Sequence, residues 1–417
     1  MHTNNNTSFR GITPYSVTSG LDTNVFLNKA LFDVTGSDAP WVIMANNKEE
    51  RRERINRATV SFGLIFLSPL MALPLINRLA MKKLTPKVFS KEWQAIKLSN
   101  SYLGNAEDTK NGLNQLSKDL KIDFKPIIDK VGGDYEKLRK KIVVAKNIVL
   151  ASDFALVTGS FGHIGFYNNR QTEKKTGSSG YSAEISMADK DTVNKRAENY
   201  KKTSKTKYKI FLTTLGALVL GVPLAIAHGL NTKKINKFSN FVKKHASKFD
   251  YNDAIFMDRL PLALGLGVAH LGINLASRNK TETKDNAIRS SIPFAIFFGG
   301  DLLMARILSN ISDRLLGTKL TKPAKKPNFL TKILPPVKKL KDLKNINHPL
   351  TKTMGVGIFW FNFVTLAATM GILTPYLINK IIKKDIEKDS HPNKIASLNK
   401  KTFSSTFKKL QLSNRNN

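Results

Sequence analysis

The sequence predicts an all-α fold: a multi-pass transmembrane helical bundle of about six spans, with basic extramembrane loops and short amphipathic helices. Three observations predict it. First, apolar residues are clustered although mean hydropathy is slightly negative at −0.23. Long apolar runs cover Ser61–Ile76, Ile210–Leu230 and Met354–Ile378, and crossing ~30 Å of hydrocarbon takes roughly 20 mostly apolar residues as a helix. Second, none of these runs alternates with period two, as a barrel strand would. Inside lipid a helix is then the way to satisfy the backbone. Third, the intervening segments are polar and basic: 67 Lys+Arg stand against 31 Asp+Glu, a formal charge of +36.

Taken in order, residues 1–57 read as a polar N-terminal tail ending in a short charged helix, with Asp38 as N-cap near Pro40. The first span covers 58–80. Residues 81–142 form a basic loop with apolar residues at helical intervals, so amphipathic helices are expected there. The second span covers 143–167. Residues 168–207 are poor in bulky apolar side chains and read as a flexible polar loop. The third span is 208–230, followed by a basic loop at 231–253. The fourth and fifth, 254–277 and 288–311, are weaker because each holds ionisable groups. A basic, proline-broken loop at 312–353 precedes the sixth span at 354–379, and 380–417 form a basic tail. Pro74–Lys83 and Pro375–Lys384 share a proline, an Ile-Asn pair and terminal lysines, a pattern suited to lysines snorkelling at a membrane exit. Lys and Arg divide about evenly between the two sides, so they do not orient the bundle. Both termini are expected inside. No signal-peptide pattern is visible.

The composition excludes several classes. With no cysteine, disulfides, Cys-ligated zinc, iron–sulfur centres and thiol catalysis are ruled out. The positive charge lies in every loop rather than on one face, and no zinc-finger, basic-zipper or RRM pattern occurs, so nucleic acid is not the expected partner. The expected partners are the lipid bilayer and anionic lipid headgroups, worth about 1 kcal/mol per basic residue near the surface. Walker A, His-Glu-x-x-His, EF-hand and dinucleotide-binding patterns are missing, so neither an enzyme nor a cofactor is expected.

Five residues form a candidate intramembrane polar site: Asp153, His163, His270, Asp301 and Arg306. Charges at mid-bilayer are costly and should face the bundle and be paired. Lys146, Asp153, Ser160 and Tyr167 recur every seven residues and share a helix face. His163 and His270 sit near the ends of two spans that run in the same direction, hence at similar depth. Asp301 and Arg306 are about 140° apart around a helix, so they point to different neighbours. The stretch Phe298–Asp301 resembles, in part, the Gly-x-Gly-Asp motif of intramembrane aspartyl proteases, which would require Asp153 as the second acid. However, Phe298 replaces the first glycine and Ser152 precedes Asp153 where those enzymes have tyrosine. The functional expectation is an integral, multi-pass plasma-membrane protein with a membrane-organising or interaction role. The alternative is a transporter or channel that uses the five polar residues.

Overall fold

The computed structural model describes residues 13–23, 25–232, 236–252, 256–257, 259–324, 329–344, 346 and 348–389. Seven long helices dominate it: α1 (25–43), α2 (48–81), α3 (Tyr135–Thr176), α4 (Glu198–Asn231), α5 (Arg259–Leu275), α6 (280–316) and α7 (Leu350–Glu387). Three of them, α3, α4 and α7, are long and apolar enough to cross a membrane. The predicted spans 58–80, 254–277 and 288–311 fall largely on α2, α5 and α6. The fourth begins late, because Phe256–Met257 are extended and pair antiparallel with Tyr251–Asn252 before α5 starts at Arg259.

The helices alternate in direction. Asn168 and Thr172 of α3 bond Glu53 near the start of α2, so those two are antiparallel. Tyr208 and Phe211 of α4 pack on Phe166 of α3, and Phe211 fits over Gly162, where an added Cβ would lie 2.5 Å from its ring. Gly162 also faces Ala269 and Gly165 faces Ala276, so α5 runs parallel to α3. Small residues at this seam let the helix backbones approach closely, the usual device of helices packed in lipid. Asn286 of α6 donates to Ser277 just past α5, and Thr281 of α6 donates to Asp385 of α7. One end of the bundle therefore gathers Glu53, Thr172, Arg278, Glu282 and Asp385; we call it the polar end.

Expected as part of a polar tail, α1 instead packs along α7, and in parallel. Gly36 meets Ala367, Gly371 meets Pro40, and the Phe32 and Phe363 rings lie 5.4 Å apart. The Trp41 indole donates to the Met370 carbonyl at 2.9 Å. That carbonyl lies in a wide π turn, Thr369–Leu373, and such a turn leaves carbonyls without their i+4 partner. Similar turns interrupt α1, α2, α3, α4 and α6 at Val34–Asp38, Phe62–Leu67, Phe154–Gly159, Ala217–Gly221 and Ile296–Gly300. Residues 1–12 of the expected tail lie outside the described residues.

The opposite, capped end carries most of the apolar core. Residues 81–134 fold into short helices, Ala106–Leu120 the longest, and bury Leu98, Leu103, Leu113, Phe124 and Ile127 against Leu138 and Ile142 of α3. Asp134 caps α3 by accepting from Lys137 N. Arg139 of α3 donates to the Leu103 and Leu230 carbonyls, and Lys146 pairs with Asp250 at 2.8 Å. The loop at 168–207, expected to be flexible, is folded: α3 runs to Thr176, and Tyr181, Ser182, Ala183 and Glu184 are buried at the polar end. Its few apolar side chains matter less than its polar ones, which are bonded to buried charges. The expected C-terminal tail starts as helix, since Thr374–Asp389 continues α7; residues 390–417 lie outside the described residues.

Candidate functional site

The polar end is built by two helix starts with the same local chemistry. Asn47 caps α2 by accepting from Glu50 N, and Asn279 caps α6 by accepting from Glu282 N. Each glutamate reaches back in turn to the backbone N–H before the cap: Asn46 N to Glu50 at 2.6 Å and Arg278 N to Glu282 at 2.7 Å. Such reciprocal caps satisfy donors that a helix start leaves orphaned. Three residues on stands a second acid, Glu53 or Asp285, and four further on an arginine, Arg57 or Arg289. At this spacing the acid and the arginine follow the glutamate on one helix face.

Burial forces these groups to satisfy one another. Glu53 is fully buried and accepts two bonds from Arg278, at 3.0 and 3.1 Å, one from Ser182 at 2.8 Å and one from Thr172 at 2.5 Å. Burial alone would raise its pKa, but the charge and hydrogen bonds of Arg278 outweigh it and hold the carboxyl below its ordinary range. Arg278, 2% exposed, also binds Glu282 at 2.8 Å and lies over the Tyr181 ring. The Tyr181 hydroxyl donates to Asp285, and burial followed by that carboxylate pushes its pKa well up. Glu184 pairs with Arg196 at 3.1 Å and accepts from Asn279, yet burial pushes its pKa up to about 7. Arg54 bonds Glu50 and the Trp41 carbonyl. Arg289 bonds Asp285 through Nε, and its guanidinium stacks 4.9 Å above the Trp41 ring.

Below this network lies a cavity of about 160 Å³ walled by α1, α2, α5, α6 and α7, with Phe161 of α3. Its floor at the polar end is charged, with Arg54, Arg57, Asp285 and Arg289; its walls are apolar, with Phe32, Leu262, Leu266, Ile273, Phe294 and Met370. Asp33 and Asp38 enter it from α1, where Asp33 accepts from Ser37 at 2.7 Å and Ser61 at 3.4 Å. The volume resembles that of the ~150 Å³ apolar cavity known to hold a benzene ring. Here, unlike that one, the pocket pairs apolar walls with a few convergent polar groups, the usual make-up of a small-molecule site.

Of the five residues expected to form a polar site, the four with described side chains are not brought together at the cavity. His270 lines the cavity, between the Phe161 and Phe294 rings. His163 lies on a parallel helix but packs on Tyr208 of α4 instead. Asp153 is buried on α3 beside the Phe154–Gly159 turn and does not line the cavity. Lys146, on its face, is taken up by Asp250 and the Leu98 carbonyl. Arg306 is partly exposed on the second half of α6. Asp301 starts that helix segment, and its side chain lies outside the described residues; α6 itself packs on α5 and α7. Arg57 stands one residue ahead of the expected span 58–80, Asp285 just ahead of 288–311 and Arg289 second within it, so a search for charges in the middle of apolar runs passes them by. The repeated pattern Asn-Lys-x-Glu-x-x-acid-x-x-x-Arg, at 47–57 and again at 279–289, is the signal that marks them. Among the described residues no cluster of His, Asp and Glu has metal-site geometry. Comparison with protein-family models, curated proteins and solved structures finds no match.

Proposed function

We propose that this chain is an integral membrane protein of the plasma membrane that binds a small solute in the cavity beside the polar end of its bundle and carries it across. The observation that carries this reading is the cavity, half-open, with its charged floor, apolar walls and a lining drawn from five helices. It moves the transport alternative from Asp153, Asp301 and Arg306 to Arg57, Arg289, Asp33, Asp38 and His270. Six spans at 58–80, 143–167, 208–230, 254–277, 288–311 and 354–379 fit the alternation of the helices. Because α1 lies parallel to α7 at the same depth, we count it as a seventh pass, which puts the two termini on opposite sides. No catalytic role is assigned.

The membrane-organising reading also draws support from one observation. Phe89, Phe238, Phe241 and Phe329 stand exposed on or near the loops that join helices at the capped end, among lysines such as Lys237, Lys243 and Lys244. Aromatic rings beside lysines suit a bilayer interface with anionic headgroups.

The test exploits the absence of cysteine. Ser61→Cys and Ser290→Cys, both at cavity-lining positions, introduce single thiols. In proteoliposomes, a carrier predicts that both react with a membrane-impermeant thiol reagent, whereas Leu224→Cys, on the exposed face of α4, does not. Reporter tags at residue 10 and after residue 389 should localise to opposite sides. Silence at both cavity positions would remove the carrier reading, and tags on one side would remove α1 as a pass.

A further inference from the structure

We infer that the Arg57–Arg289 end of the cavity is a binding site for a phosphate-type oxyanion, free or as the headgroup of an amphiphile. The inference rests on the cavity being a solute site and names the chemistry it takes. Arg289 is 6% exposed, and its Nε is committed to Asp285. Its Nη1 and Nη2 are buried with no acceptor among the described residues. Arg57 gives Nη1 to Asn286 at 2.8 Å, and its buried Nε likewise has no acceptor among the described residues. A buried donor left unsatisfied is expensive, and more so when charged. Here such donors from two guanidinium groups border one cavity.

The acids around them are already engaged. Glu50 serves Arg54 and the Asn46 N–H, Glu53 serves Arg278, Thr172 and Ser182, and Asp285 serves Arg289 and Tyr181. Asp33 is held by serines and lies about two helical turns before Trp41 on α1, away from the polar end. Asp38, three residues before Trp41, also lines the cavity, so an incoming acceptor meets Nη1 and Nη2 of Arg289 and Nε of Arg57 with one further carboxylate on the same wall as Trp41.

Two further features set the ligand's chemistry. A guanidinium presents a planar fork of N–H groups that matches the paired oxygens of phosphate. Arg57 and Arg289 also occupy the same place in the two copies of the capping pattern, so two equivalent helix starts aim equivalent arginines at one space. Beyond them the apolar walls, Phe32, Leu262, Leu266, Phe294 and Met370, leave room for a hydrocarbon substituent on the oxyanion.

The experiment uses the full chain with Ser290→Cys in nanodiscs of phosphatidylcholine alone. Rates are measured for a sulfonate-bearing and a trimethylammonium-bearing methanethiosulfonate, each divided by its rate with a free thiol. Arg57, which bonds Asn286 and meets no carboxylate at ion-pair distance among the described residues, should favour the anionic reagent by roughly tenfold at a thiol within about 10 Å. Arg57→Gln should lower that preference several-fold. Arg289→Lys, which keeps the charge but loses the fork, should keep the preference while weakening protection by phosphate. Inorganic phosphate that slows labelling identifies a free anion as the ligand; protection by dodecyl phosphate alone identifies an amphiphile. Equal rates for both reagents, with protection by neither phosphate, overturn the anion site while leaving the carrier reading standing. Silence toward both reagents at Ser290→Cys and at Ser61→Cys alike overturns both.

Discussion

The two ends of the bundle bury charge by opposite means. At the capped end, each buried cation is met by an acid and by carbonyls within an apolar core: Arg139 by Glu136 and the Leu103 and Leu230 carbonyls, Lys146 by Asp250 and the Leu98 carbonyl. At the polar end, acids and arginines are buried together in one network that draws its members from α1, α2, α3, the 181–196 segment and α6. A charge surrounded by apolar atoms needs only one good partner and a few carbonyls. Charges packed against charges need every member present, because removing one strands the rest. The capped end should therefore tolerate the loss of a cation far better than the polar end, and the cavity sits beside the end that tolerates it worst.

The largest expected effect comes from Arg278→Met. It strands Glu53 and Glu282 in a dry site, and breaking a buried pair in this way costs about 3–5 kcal/mol. The yield of folded, monodisperse protein in detergent should collapse, and adding Glu53→Gln and Glu282→Gln should recover part of it. A normal melting temperature for Arg278→Met alone would contradict the dependence described here. Next is Gly371→Leu, whose side chain would meet Pro40 and the Gly36 carbonyl; overpacking of this kind costs about 1–3 kcal/mol. It should push α1 off α7 and break the Trp41–Met370 bond, read as a shift in Trp41 emission with Trp93 and Trp360 replaced by Phe. The cap should remain resistant to proteolysis, which separates the two ends.

Lys146→Met tests the capped end. Asp250 keeps bonds from Ser99 at 2.7 Å and Asn100 N at 2.9 Å and is partly open to solvent, so the expected cost is about 1–2 kcal/mol. A loss as large as that of Arg278→Met would erase the contrast between the ends. The last effect is a pH dependence. Glu184, ordinarily near 4.5, is raised to about 7 by burial, against the pull of Arg196. The folded state therefore holds this proton more firmly than the unfolded one, and the stability that Glu184 contributes falls as pH rises from 4.5 to 7. Glu184→Gln should flatten that slope in thermal unfolding scans, by about 1.4 kcal/mol for each pH unit crossed within the window.

Much of the helical scaffold could be read from hydropathy alone. The apolar runs Ile210–Leu230 and Met354–Ile378 lie in α4 and α7, and α3 contains the weaker run 143–167. The parallel course of α3 and α5 agrees with the alternation expected of the apolar segments, and it sets Gly162 beside Ala269. Hydropathy could not find α1, because Asp33, Asp38, Ser37 and Thr35 dilute its apolar face; it is held by Gly36, Ala367 and Gly371, small residues with no hydropathy signal. Nor could it find the folded 178–184 segment, whose polar side chains are buried against charges more than 90 residues away along the chain.

The sequence by itself determined which segments must be helical and apolar, because a backbone in lipid or in a dry core has few ways to satisfy its own hydrogen bonds. It also wrote the two capping patterns, whose bonds are local and close within one turn. Only the tertiary structure decided which charges meet. Glu53 and Arg278 are 225 positions apart, and their pairing depends on the alternation of the long helices and on a loop that folds between them. The same arrangement brings Arg57 and Arg289 to one cavity and leaves Asp153 outside it. Charge burial is favourable only where partners converge, and convergence is a property of packing rather than of spacing.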